Sequence, residues 1–247
     1  AAGRSLEREG VGVGAGHGAE AVKKAVGKLD PEARIALQEE QLGTGHAVRQ
    51  ALPLLEGFEG RVIVLYGDTP FIGPETLAGL AAHPSDVVVL GFEAADPGRY
   101  GRLVTGPEGL ERIVEYKDAD AATRAIRLVN SGVVAADAAI LREFLPRIGN
   151  RNAAGEYYLT DLPALARAAG LRVDVVTCDE DETLGINTRA ELAAAEALFQ
   201  GRARAQALED GVTLSDPATV WFALDTVVGR DAIVGQNVVF GPGVTVE

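Results

Sequence analysis

The segment Leu65-Tyr66-Gly67-Asp68-Thr69-Pro70 closes a β-branched run on a glycine and an aspartate. In open α/β sheets, ligands gather at the carboxyl ends of strands. A carboxylate there suits a divalent cation, because Mg²⁺ takes hard oxygen ligands and shares its shell with substrate phosphates. The same aspartate would serve equally as a cap for the Thr69-Pro70 turn. A second oxygen of this kind is Asn187, in Gly185-Ile186-Asn187-Thr188 ahead of a long helical pattern. If Thr188 is the N-cap of that helix and Glu191 its capping-box partner, Asn187 projects freely.

Residues 37 to 47 read LQEEQLGTGHA. Gly43 and Gly45 open a helix that continues to Leu55, and such a start offers backbone N–H groups to a phosphate or a base edge. Gln38 has an amide that both donates and accepts, as a base reader needs. The pattern is also common in plain turns, and His46 reads as the first helical turn rather than as a catalytic base. The stretch from Asn152 to Asp161, NAAGEYYLTD, places two tyrosines between polar residues. They either line a pocket or pack on the sheet beside a capped helix start. Gly101 in Tyr100-Gly101-Arg102, Glu115 in VEYKD and Asn130 in Asn130-Ser131-Gly132 carry no signal by themselves. No Ser-His-Asp order stands out, and one Cys with three His gives no zinc spacing.

Residues 61 to 210 alternate short β-branched runs with amphipathic stretches. Strands are expected over 61–66, 86–92 and 171–178, with another around Val133 and Val134. Helices are expected over 74–82, 137–145, 160–169 and 188–204, and further upstream a strand over 11–17 precedes a helix over 19–28. This alternation predicts an α/β fold with a mostly parallel sheet and helices on both faces. After about Gly211 the pattern changes. Gly229, Gly235 and Gly241 are spaced by six, each preceded by two apolar residues and followed three later by Ala232, Val238 or Val244. That period reads as a hexapeptide β-helix, or as a β-hairpin with glycine turns.

The chain has 247 residues and a net charge of −13, which argues against nucleic acid or an anionic membrane as partner. Apolar runs such as Val62 to Tyr66 are far shorter than a membrane span, and no signal peptide is visible. A lone Cys178 builds no disulfide framework, so the chain reads as cytoplasmic. It contains no Met, so residue 1 is expected to be a processed or cut end.

Taken together and in this order, LQEEQLGTGHAV, LYGDTPFI, YGR, VEYKDA, NSGV, NAAGEYYLTDL, GINTRAEL and the hexapeptide stub resemble a known family. It is that of the bifunctional bacterial N-acetylglucosamine-1-phosphate uridylyltransferase / glucosamine-1-phosphate acetyltransferases. The resemblance implies a Rossmann-like nucleotidyltransferase domain over 1–187, a linker helix over 188–210, and the start of a left-handed parallel β-helix over 211–247. It implies transfer of uridylyl from UTP to N-acetylglucosamine 1-phosphate, giving UDP-N-acetylglucosamine and pyrophosphate. On that reading Gln38, Gly43 and Thr44 hold the uracil, and Tyr66 and Gly67 lie along the nucleotide and sugar. Asp68 and Asn187 bind Mg²⁺, and Gly101, Glu115 and Asn130 contact the N-acetylglucosamine part. Members of the family open with a Gly-rich basic loop around the triphosphate. Here only Ala1-Ala2-Gly3-Arg4 matches it, so weak UTP binding and poor transfer are expected of a molecule that truly begins at Ala1. The acetyltransferase site of the family lies in later coils shared within a homotrimer, so no acetyl-coenzyme A site is expected here. Two rival readings are a nucleotidyltransferase for another sugar or base, and an impaired fragment that only binds sugar nucleotide.

Overall fold

A computed structural model describes residues 10–247. The Ala1-Ala2-Gly3-Arg4 match lies outside them. The chain divides into two compact units, the first ending at Leu184 and the second running from Gly185 to Glu247.

In the first unit, β1 (Gly12–Ala15) and β2 (Arg34–Leu37) form a parallel pair around the crossover helix α1 (Ala19–Leu29). After α2 (Thr44–Gln50) comes the main sheet. Its strands are β3 (Arg61–Val64), β4 (Val87–Glu93), β5 (Arg102–Gly106), β6 (Gly109–Val114), β7 (Leu128–Asp137) and β8 (Val173–Thr177). The order is β6-β5-β7-β4-β8, with β3 also on β7. The expectation of a mostly parallel sheet is wrong. Among the pairs of this sheet only β4 with β8 is parallel, while β7 runs antiparallel to β3, β4 and β5. The cause is a hairpin, β5–β6, in a region where the sequence reading found only isolated residues. Its turn ends at Gly109, whose φ of +103° a residue with a Cβ rarely adopts.

Strand β4 shows why helices cover both faces. Val87 and Val89 point into one core with Leu141, Phe144 and Leu162, while Val88 and Leu90 point into the other with Leu77 and Leu80. Alternation with a period of two puts successive side chains on opposite faces. Each fully buried Val or Leu adds about 1.5–3 kcal/mol of hydrophobic stabilisation. Helix α3 (Pro74–Ala82) lies on the second face, and α5 (Ala138–Phe144) and α6 (Leu162–Ala168) on the first. A short α4 (Ala121–Arg124) leads into β7. Pro74 occupies the first turn of α3, and Glu182 Oε2 accepts from Gly73 N–H at 2.9 Å and Thr76 Oγ1 at 2.7 Å.

Strand β7 is not regular. Its register against β4 breaks between Val89 and Gly91, leaving extra residues at Ser131-Gly132. Ser131 Oγ donates to Leu90 O at 2.7 Å and accepts from Val133 N–H at 3.2 Å, so the bulge is held by a side chain. Bulges bend a strand and re-aim its side chains; this one governs Asn130 and Gly132.

The second unit begins with α7 (Arg189–Glu209). Thr188 caps it through a capping box with Glu191, as the sequence predicts. Four two-residue strands follow: β9 (Thr213–Leu214), β10 (Val227–Val228), β11 (Ile233–Val234) and β12 (Thr245–Val246). They pair in parallel as β9 with β11 and β10 with β12, and Trp221 bridges Val239 in the same sense. Parallel pairing across these registers excludes the hairpin reading, which requires antiparallel strands. Val212, Leu214, Val220, Phe222 and Val234 form the core of this unit with Ala207 of α7. Asp231, Asn237 and Gly243 are spaced by six, and each has φ near +60° to +75°. Asp, Asn and Gly are the residues that tolerate this left-handed conformation.

Candidate active site

Gly101, Glu115 and Asn130, uninformative in sequence, meet across three strands. Gly101 precedes β5 and Glu115 follows β6. Asn130 N–H donates to Gly101 O at 2.9 Å, and a Cβ on Gly101 would lie 3.5 Å from Glu115 Oε1. Glu115 Oε1 accepts from Thr160 Oγ1 at 2.9 Å, which brings the NAAGEYYLTD segment to the same place. Gly132 N–H donates to Asn130 Oδ1 at 3.0 Å. The amide of Asn130 is thereby oriented, and its Nδ2 is the atom left to donate. Glu115 Oε2 is left as an acceptor.

Tyr66 shares a small, mostly apolar cavity with Asn130, Gly132, Leu159 and Thr160. Gly132 has φ +90°, and a Cβ there would collide with the ring edge of Tyr66. Burial raises the phenol's pKa above its ordinary value. Thr44 opposes that through a hydrogen bond, and the negative charges of Glu115 and Asp68 add to it. Burial likewise holds the Glu115 carboxyl high, against the Thr160 hydrogen bond and with Asp118, Asp161 and Glu156 adding repulsion. The site is therefore acidic, so phosphates entering it need accompanying positive charge.

The GTG motif is explained partly by packing. Gly45 N–H donates to Tyr157 O at 2.8 Å and Tyr157 N–H donates to Leu42 O at 2.8 Å. Leu159 N–H donates to Thr44 Oγ1 at 3.0 Å. The two motifs are zipped together, and a Cβ on Gly43 would come within 2.7 Å of Tyr157 O. Gly45 therefore has no N–H to offer a ligand. The N–H groups of Gly43 and Thr44 make no bond among the described residues. Tyr157 packs on the core, under Arg49 at 5.2 Å from its ring centre, while Tyr158 is half-buried. Asn152 organises its own loop, donating to Glu156 O and accepting from Ala154 and Glu156 N–H.

Gln38 follows β2 directly, and its Nε2 donates to Gly43 O at 3.2 Å. His46 lies in the first turn of α2. Asp68 is exposed beside Gly67, and its carboxylate makes no hydrogen bond or ion pair among the described residues. It caps no turn; Thr69 does so, with Oγ1 donating to Tyr66 O at 3.1 Å. Asn187 belongs to the second unit, exposed before α7, its backbone N–H donating to Glu191 Oε2 at 2.7 Å. Sequence reasoning missed Thr160, Gly132 and Arg102. Arg102 is 2% exposed. It donates to the carbonyls of Gly98, Tyr100 and Arg124, which fixes the loop carrying Gly101. Its signal in the sequence was its place in the Tyr100-Gly101-Arg102 string.

A mixed sheet with helices on both faces is a fold that this chain shares with solved sugar nucleotidyltransferases. The chain matches the nucleoside-diphosphate-sugar pyrophosphorylase from Vibrio cholerae RC9 with a TM-score of 0.57 at 15% identity, over 72% of this chain and 77% of that one. No family model matches the chain. In sequence it is 85% identical over 245 residues to Bifunctional protein GlmU of Paracoccus denitrificans (strain Pd 1222), covering 99% of this chain and 55% of that protein. It is 62% identical over 229 residues to Bifunctional protein GlmU of Roseobacter denitrificans (strain ATCC 33942 / OCh 114), covering 92% and 51%. The chain spans about half the length of the curated relatives it matches, corresponding to their N-terminal portion. The resemblance drawn from the motifs is thus upheld.

Proposed function

We propose that this chain carries the uridylyltransferase half of a bifunctional enzyme, making UDP-N-acetylglucosamine and pyrophosphate from UTP and N-acetylglucosamine 1-phosphate. The observation that carries the reading is the row of Gly101, Glu115 and Asn130 beside Tyr66. Glu115 Oε1 is taken up by Thr160 and Asn130 Oδ1 by Gly132, which leaves Glu115 Oε2 to accept and Asn130 Nδ2 to donate. A sugar hydroxyl and an acetamido carbonyl need that combination. Gln38 and the free N–H groups of Gly43 and Thr44 are assigned to the uracil, and Tyr66 and Gly67 to the nucleotide and sugar.

In the proposed step a phosphate oxygen of the sugar phosphate attacks the α-phosphorus of UTP in line. The bond to the β-phosphate oxygen breaks and pyrophosphate leaves. Positioning and charge neutralisation carry such a transfer, so no protein nucleophile is needed. Mg²⁺ would supply that neutralisation. Asp68, an unengaged carboxylate, fits as a ligand, and the resemblance adds Asn187. Among the described residues no group of three or more His, Cys, Asp or Glu side chains gathers to hold a metal alone. Substrate phosphates would therefore complete the shell, as Mg²⁺ prefers.

We read 211–247 as the start of a left-handed parallel β-helix, supported by its three parallel pairings and the six-residue spacing of its left-handed turn residues. The full-length parent would be a cytoplasmic homotrimer that also acetylates glucosamine 1-phosphate with acetyl-coenzyme A. Among the described residues no helix is long and apolar enough to cross a membrane.

Pyrophosphate release tests the reading, with UTP or dTTP against N-acetylglucosamine 1-phosphate or glucose 1-phosphate, in Mg²⁺ or chelator. Release favouring UTP with the acetamido sugar and needing Mg²⁺ is expected. Preference for glucose 1-phosphate or dTTP would reassign the substrate.

A further inference from the structure

His46 lies between two amides. Its Nδ1 is 3.1 Å from Gln38 Nε2, and its Nε2 is 3.0 Å from Gln50 Nε2. The other neighbour of Gln38 Nε2 is Gly43 O, at 3.2 Å. A backbone carbonyl only accepts, so the atom facing it must be the NH₂ of Gln38. The second N–H of that group then points at His46 Nδ1, which must offer its lone pair. A neutral imidazole with Nδ1 bare carries its proton on Nε2, which requires the Gln50 amide to turn its oxygen to the place its Nε2 occupies, 3.0 Å from the ring nitrogen. Both N–H bonds of Gln38 are thereby used within the protein. Its Oε1 is the atom left over, beside Gly16; the neighbouring Gln41 Nε2 donates instead to Gln38 O at 3.2 Å.

We infer that His46 is a positioning residue for base selection: by holding the Gln38 amide in one orientation, it makes Gln38 a pure hydrogen-bond acceptor toward the base. An acceptor pairs with the ring N–H of uracil and is repelled by the bare ring nitrogen that cytosine has at that place. Without His46 only the Gly43 carbonyl holds the amide, which turns over more readily to present NH₂, as suits cytosine. This inference rests on the assignment of Gln38 to the base in the proposed uridylyltransferase reading. It goes further in naming what sets the selectivity.

Two readouts test it. The first needs no ligand: ¹⁵N–¹H correlation of the His46 ring in the free chain should show the proton on Nε2, and a proton on Nδ1 would overturn the inference. The second is calorimetric titration of UDP and CDP into the parent chain, His46→Leu and His46→Asn. The Asn side chain retains an acceptor near the place of Nδ1; Leu does not. Loss of one oriented hydrogen bond corresponds to about tenfold in affinity. The UDP-over-CDP ratio should therefore fall about tenfold in His46→Leu and be largely restored in His46→Asn, with both variants melting as one cooperative unit. An unchanged ratio in His46→Leu, or an equal fall in His46→Asn, contradicts the positioning role. A parent chain with no preference for UDP, while its imidazole is protonated on Nε2, overturns the uridine reading and this inference with it.

Discussion

A methyl group at position 132 has no room, because Tyr66 Cδ2 would lie only 2.7 Å away and the φ of +90° disfavours any Cβ. Gly132→Ala should cost about 1–3 kcal/mol in denaturant unfolding. It should also displace the Tyr66 ring and weaken binding of UDP-N-acetylglucosamine more than the stability loss explains. Glu115 gives a pH-dependent test. Burial, the first cause, keeps its carboxyl above the ordinary value. A carboxyl raised on folding contributes stability that is fully present below its unfolded pKa and is lost as pH rises through the folded one. Glu115→Gln should therefore melt higher than the parent near neutral pH, with the gap closing as pH falls into the carboxylate range. A constant gap at every pH would contradict the burial account. The thiol of Cys178 is pushed up to about 12, chiefly by burial. Alkylation at mildly alkaline pH should be slow in the folded chain and fast after unfolding.

At the scale of elements, α7 is joined to the following coil by Gln200, which is 2% exposed. Its Nε2 donates to Phe222 O at 2.7 Å, and its Oε1 accepts from Phe222 N–H at 2.9 Å. Gln200→Leu leaves both backbone groups unpaired in the core and should destabilise this unit by about 2–4 kcal/mol in calorimetric melting. In the coil, Asn237→Gly should be nearly neutral, whereas Asn237→Val should cost about 1–2 kcal/mol, the left-handed penalty for a residue with a Cβ. Elements with strong local signals were legible in the sequence. Pro74 at a helix start, the Thr188–Glu191 capping box and the β-branched runs all act within a few residues. Strand direction was not legible, since period-two alternation looks the same in parallel and antiparallel sheets. The β5–β6 hairpin that reverses the chain was announced only by Gly106-Pro107-Glu108-Gly109 between two short apolar runs. The bulge at Ser131-Gly132 depends on a contact with Leu90 that no local pattern encodes.

For the whole molecule, the order of motifs carried the family resemblance, and the three-dimensional grouping supplies its physical reason. GTG and EYYL are one zipped structure, and YGR and VEYKD, at the start of β5 and the end of β6, adjoin NSG at the bulge of β7. Residues such as Gly101 and Asn130 were silent in sequence because their roles lie in orientation imposed by neighbours distant along the chain. The central claim is that this grouping holds the N-acetylglucosamine nucleotide, and calorimetric titration of UDP-N-acetylglucosamine with and without Mg²⁺ tests it most directly. Saturable one-to-one binding is predicted, tightened by Mg²⁺ and weakened about tenfold or more by Asn130→Ala, which removes the donor. Binding that is absent, or that ignores both Mg²⁺ and Asn130→Ala, would contradict it.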